Sequence, residues 1–142
     1  MPGGNLGGGT GTQLSPYQVW DLADLNALRG KANSSASPIY VNFKADINFA
    51  DEANYRNNFD TIRFGNNTSN TNNWDYVNID GEGHTLYNFK QNGTSTTASV
   101  GLFRYINGSI RNLKFQNCSI QGNVSATRAV LVQNLRLILL KI

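Results

Sequence analysis

Thr85-Leu86-Tyr87-Asn88-Phe89-Lys90 is answered 24 residues later by Ser109-Ile110-Arg111-Asn112-Leu113-Lys114. The order hydroxyl, apolar, free, asparagine, apolar, lysine recurs, with Asn and Lys identical. Val77 and Ile79 precede the first copy, and Gly101 and Phe103 precede the second at the same spacing. A recurrence of this size marks a supersecondary unit that cannot bury its own apolar face and must stack on neighbours. The units are short and alternating, so the stack is predicted to be a coil of parallel strands. Leu86 and Ile110 would then occupy adjacent layers of one interior, roughly 4.8 Å apart. Asn88 would lie beside Asn112 and begin an asparagine ladder.

Strand signals extend outward from this repeat. Ile39-Tyr40-Val41-Asn42-Phe43 alternates, Ile47 and Phe49 continue it, and Ile62 with Phe64 form another short run. The repeat region itself predicts strands at 76–80, 84–90, 99–106, 109–115 and 118–120. Asp80-Gly81, Asn92-Gly93 and Asn107-Gly108 separate them as turn dipeptides. The same dipeptides suit antiparallel hairpins. The recurrence favours the parallel arrangement, because a meander need not return the same pattern.

A helix is predicted over 16–29. Ser15 is placed to cap it, Pro16 suits the first helical position and Gln18 completes a capping box. Val19, Leu22, Leu25 and Leu28 form the apolar stripe, Trp20 and Ala23 widen it, and Gly30 follows as a stop. Such a helix would close the open end of a strand stack, where unpaired backbone otherwise recruits other strands. Residues 1–12 are Gly-rich and read as a flexible tether, with 13–142 as the folded domain. Gly7-Gly8-Gly9-Thr10-Gly11-Thr12 lacks the lysine and the preceding strand of a phosphate loop.

Composition narrows the function classes. The chain has 142 residues, 15% charged, with a formal net charge of +3 that is spread rather than clustered. Arg104, Arg111 and Lys114 alternate with apolar positions, unlike the dense basic stripe of a nucleic-acid groove. Asparagine is in excess, with 21 copies, which suits a fold of many tight corners. Sequons such as Asn107-Gly108-Ser109 arise by chance in so Asn- and Ser-rich a chain. Cys118, the single cysteine, excludes an intrachain disulfide and reads as an inert thiol in a strand. Met1-Pro2-Gly3-Gly4 has neither the basic nor the apolar region of a secretory signal, so the expectation is either that the protein is not exported by that route or that the sequence begins after the signal. No segment approaches the roughly 20 apolar residues of a membrane span.

Several phrases resemble bacterial and phage proteins with GLUG-type repeats, of the pectin-lyase-like group. They are the entry segment with Asp24-Leu25-Asn26, Asp46-Ile47-Asn48, Ile79-Asp80-Gly81-Glu82-Gly83-His84, and Val100-Gly101-Leu102-Phe103 running on to Ile110-Arg111-Asn112-Leu113. The resemblance covers roughly residues 10 to 134. It implies an all-β fold, a short right-handed parallel β-helix, here with an N-terminal capping α-helix. Arg104 stands where that family has glycine. Ala129 to Asn134 looks like the opening of another turn, and the apolar tail 135–142 does not continue it. Short coils are marginal alone, so a homo-oligomer or a place in a larger assembly is expected.

This coil is reused by adhesins, phage appendages and polysaccharide-cleaving enzymes, so function must be argued from sites. His84 is the only histidine, and its Asp80–His84 setting reads as a turn between coils. Asp75 and Asp80 are the only close acidic pair near a strand, and neither recurs one coil away; Asp51, Glu52 and Asp60 lie in loops. No catalytic set, cofactor or metal is therefore expected. Trp74, Tyr76 and Tyr87, with amide-rich loops around them, are the candidate ligand-binding residues, suited to stacking on a glycan or to protein contacts. The expectation is a non-enzymatic structural or binding protein on a virion, a phage fibre, tail or capsid appendage. Its partners would be other virion or cell-surface proteins or a glycan, with no nucleic acid and no membrane. The alternatives are a fragment of a bacterial surface adhesin and, third, a polysaccharide lyase or hydrolase.

Overall fold

The structure, a computed structural model, describes residues 6–65, 75–92, 101–121 and 132–136. Strands dominate it: β1 (Tyr17–Val19), β2 (Ile39–Phe43), β3 (Ile47–Asn48), β4 (Asp75–Asp80), β5 (Thr85–Tyr87), β6 (Lys90–Asn92), β7 (Phe103–Arg111), β8 (Lys114–Gln116), β9 (Ser119–Gln121) and β10 (Val132–Arg136). Among the described residues one short helix, α1 (Leu22–Ala27), and a 3₁₀ turn at Phe49–Asp51 accompany them. No helix among the described residues is long and apolar enough to cross a membrane.

The strands form a five-stranded sheet in the order β1-β2-β4-β7-β10, a three-stranded sheet β3-β5-β8 and a two-stranded sheet β6-β9. Every strand pairing among the described residues is parallel. Consecutive strands therefore visit the three sheets in turn: β4, β5 and β6 are followed by β7, β8 and β9, each beside its predecessor. Residues 59–62 lie along the third side one layer earlier, where the Phe59 amide donates to the Lys90 carbonyl and the Ile62 amide to that of Leu102.

The register differs from the one the repeat predicts. Ile110 pairs with Ile79 on the five-stranded sheet, whereas Leu86 pairs with Phe115 on the three-stranded sheet. Leu86 and Ile110 share the core but belong to different sheets. Asn88 accordingly does not meet Asn112. Its side chain donates to Asn48 Oδ1 at 2.8 Å and accepts from Asn117, a three-asparagine ladder in another register. Asn112 instead donates to Asp80 Oδ1 at 3.2 Å.

Alternation decides what is inside. On β2, Ile39, Val41 and Phe43 are buried while Tyr40 and Asn42 are half-buried; on β4, Asp75, Val77 and Ile79 are buried and Tyr76, Asn78 and Asp80 lie outward. Period-2 side chains of parallel strands stack in rows, so Val41, Ile79 and Ile110 form one interior row. Phe49, Phe59 and Phe89 meet in the interior with edge-to-face rings; Phe49 lies 5.0 Å from Phe59 and 5.2 Å from Phe89.

Asn107-Gly108, predicted as a turn, runs through the middle of β7. A Cβ at Gly108 would stand 2.0 Å from the Val77 carbonyl oxygen, so glycine here serves close backbone approach. Asp80-Gly81 does turn the chain, and Gly93 lies outside the described residues.

The helix is shorter than predicted. Tyr17–Val19, assigned to its first turn, are drawn into β1 because their backbone is claimed by β2 through Val19 beside Phe43. Ser15 bridges to Thr12 instead of capping. The working cap is Asp21, whose Oδ1 accepts from the Asp24 amide at 2.8 Å, and Leu22 and Leu25 face the core. Trp20 is left 38% exposed, outside the stripe it was expected to widen.

The Gly-rich segment is tied down from Leu6 onward. The Gly7 amide donates to the Gln18 carbonyl, the Gln18 amide to Gly8 and the Tyr40 amide to Gly11. This segment covers the outer edge of β1, which would otherwise offer unpaired backbone. At the other end, Leu135 and Arg136 still belong to β10, beside Ile106 and Asn107; residues 137–142 of the apolar tail lie outside the described residues.

Candidate functional site

Parallel registry places outward side chains in rows across the five-stranded sheet. Tyr40, Asn78 and Ser109 form one row; Asn42, Asp80 and Arg111 form the next. With Gln13 from the N-terminal loop they line a groove of about 260 Å³, floored beside Ile79. The groove exists because three strands in register present small polar side chains between the larger Tyr40 and Arg111.

Its centre is fixed by internal bonds. Ser109 Oγ donates to Asn78 Oδ1 at 3.0 Å. Asp80 Oδ1 accepts from the Glu82 amide at 2.9 Å and from Asn112, and Asp80 Oδ2 faces an Arg111 nitrogen at 3.3 Å. Burial pushes the Asp80 carboxyl up, but the Glu82 amide, the Asn112 side chain and the Arg111 charge outweigh it and hold it below the usual carboxylate range. Arg111 remains 59% exposed.

The sequence candidates are dispersed. Tyr76 lies on the outward face of β4, beside Asn107 and off the groove lining. Tyr87 lies on the three-stranded sheet beside Gln116. Trp74 lies outside the described residues. Tyr76 and Tyr87 thus do not form one platform. Asp75 and Asp80 are separated as well: five residues apart on one strand, they face opposite sides. Asp75 points inward, accepting from the amides of Phe64 and Gly65 and from Asn33 Nδ2.

His84 sits at a corner, its Nδ1 3.1 Å from Asp46 Oδ1. The Thr85 amide, then the His84 ring, hold the Asp46 carboxyl below its usual range. Beside it Lys44 Nζ pairs with Glu82 at 2.9 Å. Among the described residues no three His, Cys, Asp or Glu side chains gather to hold a metal ion. The Cys118 thiol is raised by burial, which disfavours the reactive thiolate.

The groove residues Tyr40, Asn42, Asn78, Ser109 and Arg111 escaped sequence reading. Their signal was present as the outward half of each alternation, but only the inter-strand register shows that they meet.

No family model matches the chain, and no solved structure matches it. Over 126 residues, 86% of its length, the chain is 31% identical to the protein named Halomucin from Haloquadratum walsbyi (strain DSM 16790 / HBSQ001), and it spans about 1% of that protein's length.

Proposed function

We propose that this chain is a short right-handed parallel β-helix module, closed at one end by α1, serving as a non-enzymatic structural and binding element at a cell surface. The observation that carries the architecture is the return of consecutive strands to the same three sheets in parallel register. Right-handedness follows from the strong preference of parallel crossovers for that hand. Leu22, Leu25 and Leu28 lie fully or almost fully buried against the first layer, as an end cap requires.

The cell-surface setting draws on the likeness to Halomucin, whose name describes a mucin-like protein. The virion setting expected from sequence has no comparable observation behind it. A structural role is favoured over glycan cleavage because Asp75 and Asp80, the acidic pair considered for it, are split between interior and exterior. Two carboxyl groups that act on a glycosidic bond must flank it from the same cleft. Partners are then neighbouring surface proteins or a glycan, with the chain working as part of a larger assembly.

Antibody labelling of intact, unpermeabilised source cells tests the setting. Surface label supports the reading. Label confined to permeabilised cells overturns it, and label on released phage particles would replace it with the virion appendage.

A further inference from the structure

We propose that the groove on the outer face of the five-stranded sheet binds a neutral, hydroxyl-rich saccharide, one or two sugar units at a time. The proposal rests on the reading of the chain as a surface binding module.

Charge decides the class first. Among the described residues that line it, Asp80 and Arg111 are the only ionised side chains, and they face each other at 3.3 Å. An anionic ligand brought to Arg111 meets the Asp80 carboxylate, and a cationic one brought to Asp80 meets the guanidinium. The groove therefore favours a ligand with polarity but no net charge.

Hydrogen-bonding chemistry decides it further. Among the described residues the Asn42 amide, the Gln13 amide and the Tyr40 hydroxyl make no side-chain hydrogen bond and line the groove. Each amide sets a donor beside an acceptor, which matches adjacent sugar hydroxyls that donate and accept at once. Arg111, largely exposed, adds further N–H donors, and the Tyr40 ring offers an apolar face to the C–H side of a pyranose. Asn78 and Asp80 are already held by Ser109, Glu82 and Asn112, so little freedom is lost on binding. A peptide is a poorer fit, because the groove lies on a sheet face whose strand backbones are paired to one another and offers no deep apolar pocket.

Saturation-transfer NMR and calorimetry test this on the whole chain. The probes are neutral cello-, malto-, xylo-, manno- and galacto-oligosaccharides, set against polygalacturonate and hyaluronan. At least one neutral oligosaccharide should bind saturably. Asn42→Ala and Tyr40→Ala should each weaken it by about tenfold, and Tyr40→Phe by less. Gln116→Ala, on the exposed face of the three-stranded sheet, should leave it unchanged. Circular dichroism and urea midpoints identify any variant that loses its fold, and the conservative Asn42→Asp then takes its place, with the same weakening expected. The proposal is overturned if only the acidic polymers bind, if no neutral probe binds the folded chain, or if folded Asn42 and Tyr40 variants bind normally. Cells labelled at their surface by a protein that binds no saccharide would sink the groove alone. Saccharide binding by a protein found only inside cells would sink the surface setting alone.

Discussion

The side-chain amide of Asn88 donates to Oδ1 of Asn48 across 2.8 Å, tying two layers of the fold at one corner. Asn117 donates in turn to Asn88 Oδ1. Asn88 and Asn117 turn the chain with φ of 60° and 54°, a left-handed conformation that asparagine tolerates better than other side-chain-bearing residues. Each asparagine thus supplies both the corner and the link to its neighbour. Asn88→Ala should lose two side-chain bonds and strain the corner, costing about 2–4 kcal/mol. Asn88→Gly should cost less, since it keeps the backbone conformation and loses only the bonds. Urea denaturation of the pair separates the two contributions; equal losses would show that the ladder, not the corner, dominates.

Those corners also explain why the repeat was legible while its register was not. Left-handed asparagines occur at Asn88, Asn112 and Asn117, so more than one corner of each turn carries a similar phrase. The match of Asn88 with Asn112 joined the corner after β5 to the corner after β7. The structural equivalent of Asn88 is Asn117, which donates to it. Ile79 and Ile110 are 31 residues apart and Leu86 and Phe115 are 29 apart, so the layer repeat is longer than the phrase repeat. Inward apolar positions such as Val41, Ile79 and Leu86 were visible because alternation is local. The groove was not, because Tyr40, Asn78 and Ser109 become neighbours only through long-range pairing.

Gln91 was equally hidden, in a Lys-Gln-Asn run that reads as polar surface. It is buried, with Nε2 donating to the Phe59 carbonyl at 3.0 Å and to Thr61 Oγ1 at 2.9 Å, while Oε1 accepts from the Gly101 amide at 2.6 Å. Gln91→Leu keeps volume but strands the Gly101 amide in the interior. The expected loss is about 2–4 kcal/mol, larger than for any outward strand amide replaced in the same way. A change under about 0.5 kcal/mol in the urea unfolding free energy would show that the amide finds other partners.

Asp75 and Asp80 should respond differently to the same substitution. Asp75→Ala removes the acceptor of two backbone amides and of Asn33, all partly or fully buried, so about 3 kcal/mol or more should be lost. Asp80→Ala should cost less, about 1 kcal/mol, because the bonds it loses to the Glu82 amide, Asn112 and Arg111 all lie at the exposed surface, where water replaces them. Thermal denaturation of both variants reads the contrast directly. Equal destabilisation would contradict the inward and outward placement of the two carboxylates.

Acid titration should show two opposed phases, because three carboxylates are shifted in different directions. Asp24 is fully buried, with Oδ1 unpartnered and Oδ2 accepting from the Trp20 amide at 2.9 Å. Burial raises it above 3.8, and neighbouring Asp21 adds to that. Its protonated form is therefore favoured in the folded chain, so stability from this group rises as pH falls through the raised value and is complete below 3.8. Asp46 and Asp80 are lowered from the same 3.8, so their contribution is present above it and is lost as pH falls through their folded values. The urea midpoint should accordingly rise slightly on mild acidification from neutrality and then fall at more acidic pH. Asp24→Asn should remove the upper phase and keep the lower one, since the Asn amide oxygen still accepts from Trp20. Asp46→Asn should do the reverse, with a shallower acid limb. A monotonic pH profile in the parent chain that Asp24→Asn leaves unaltered would show that Asp24 is ionised at no cost in the folded state.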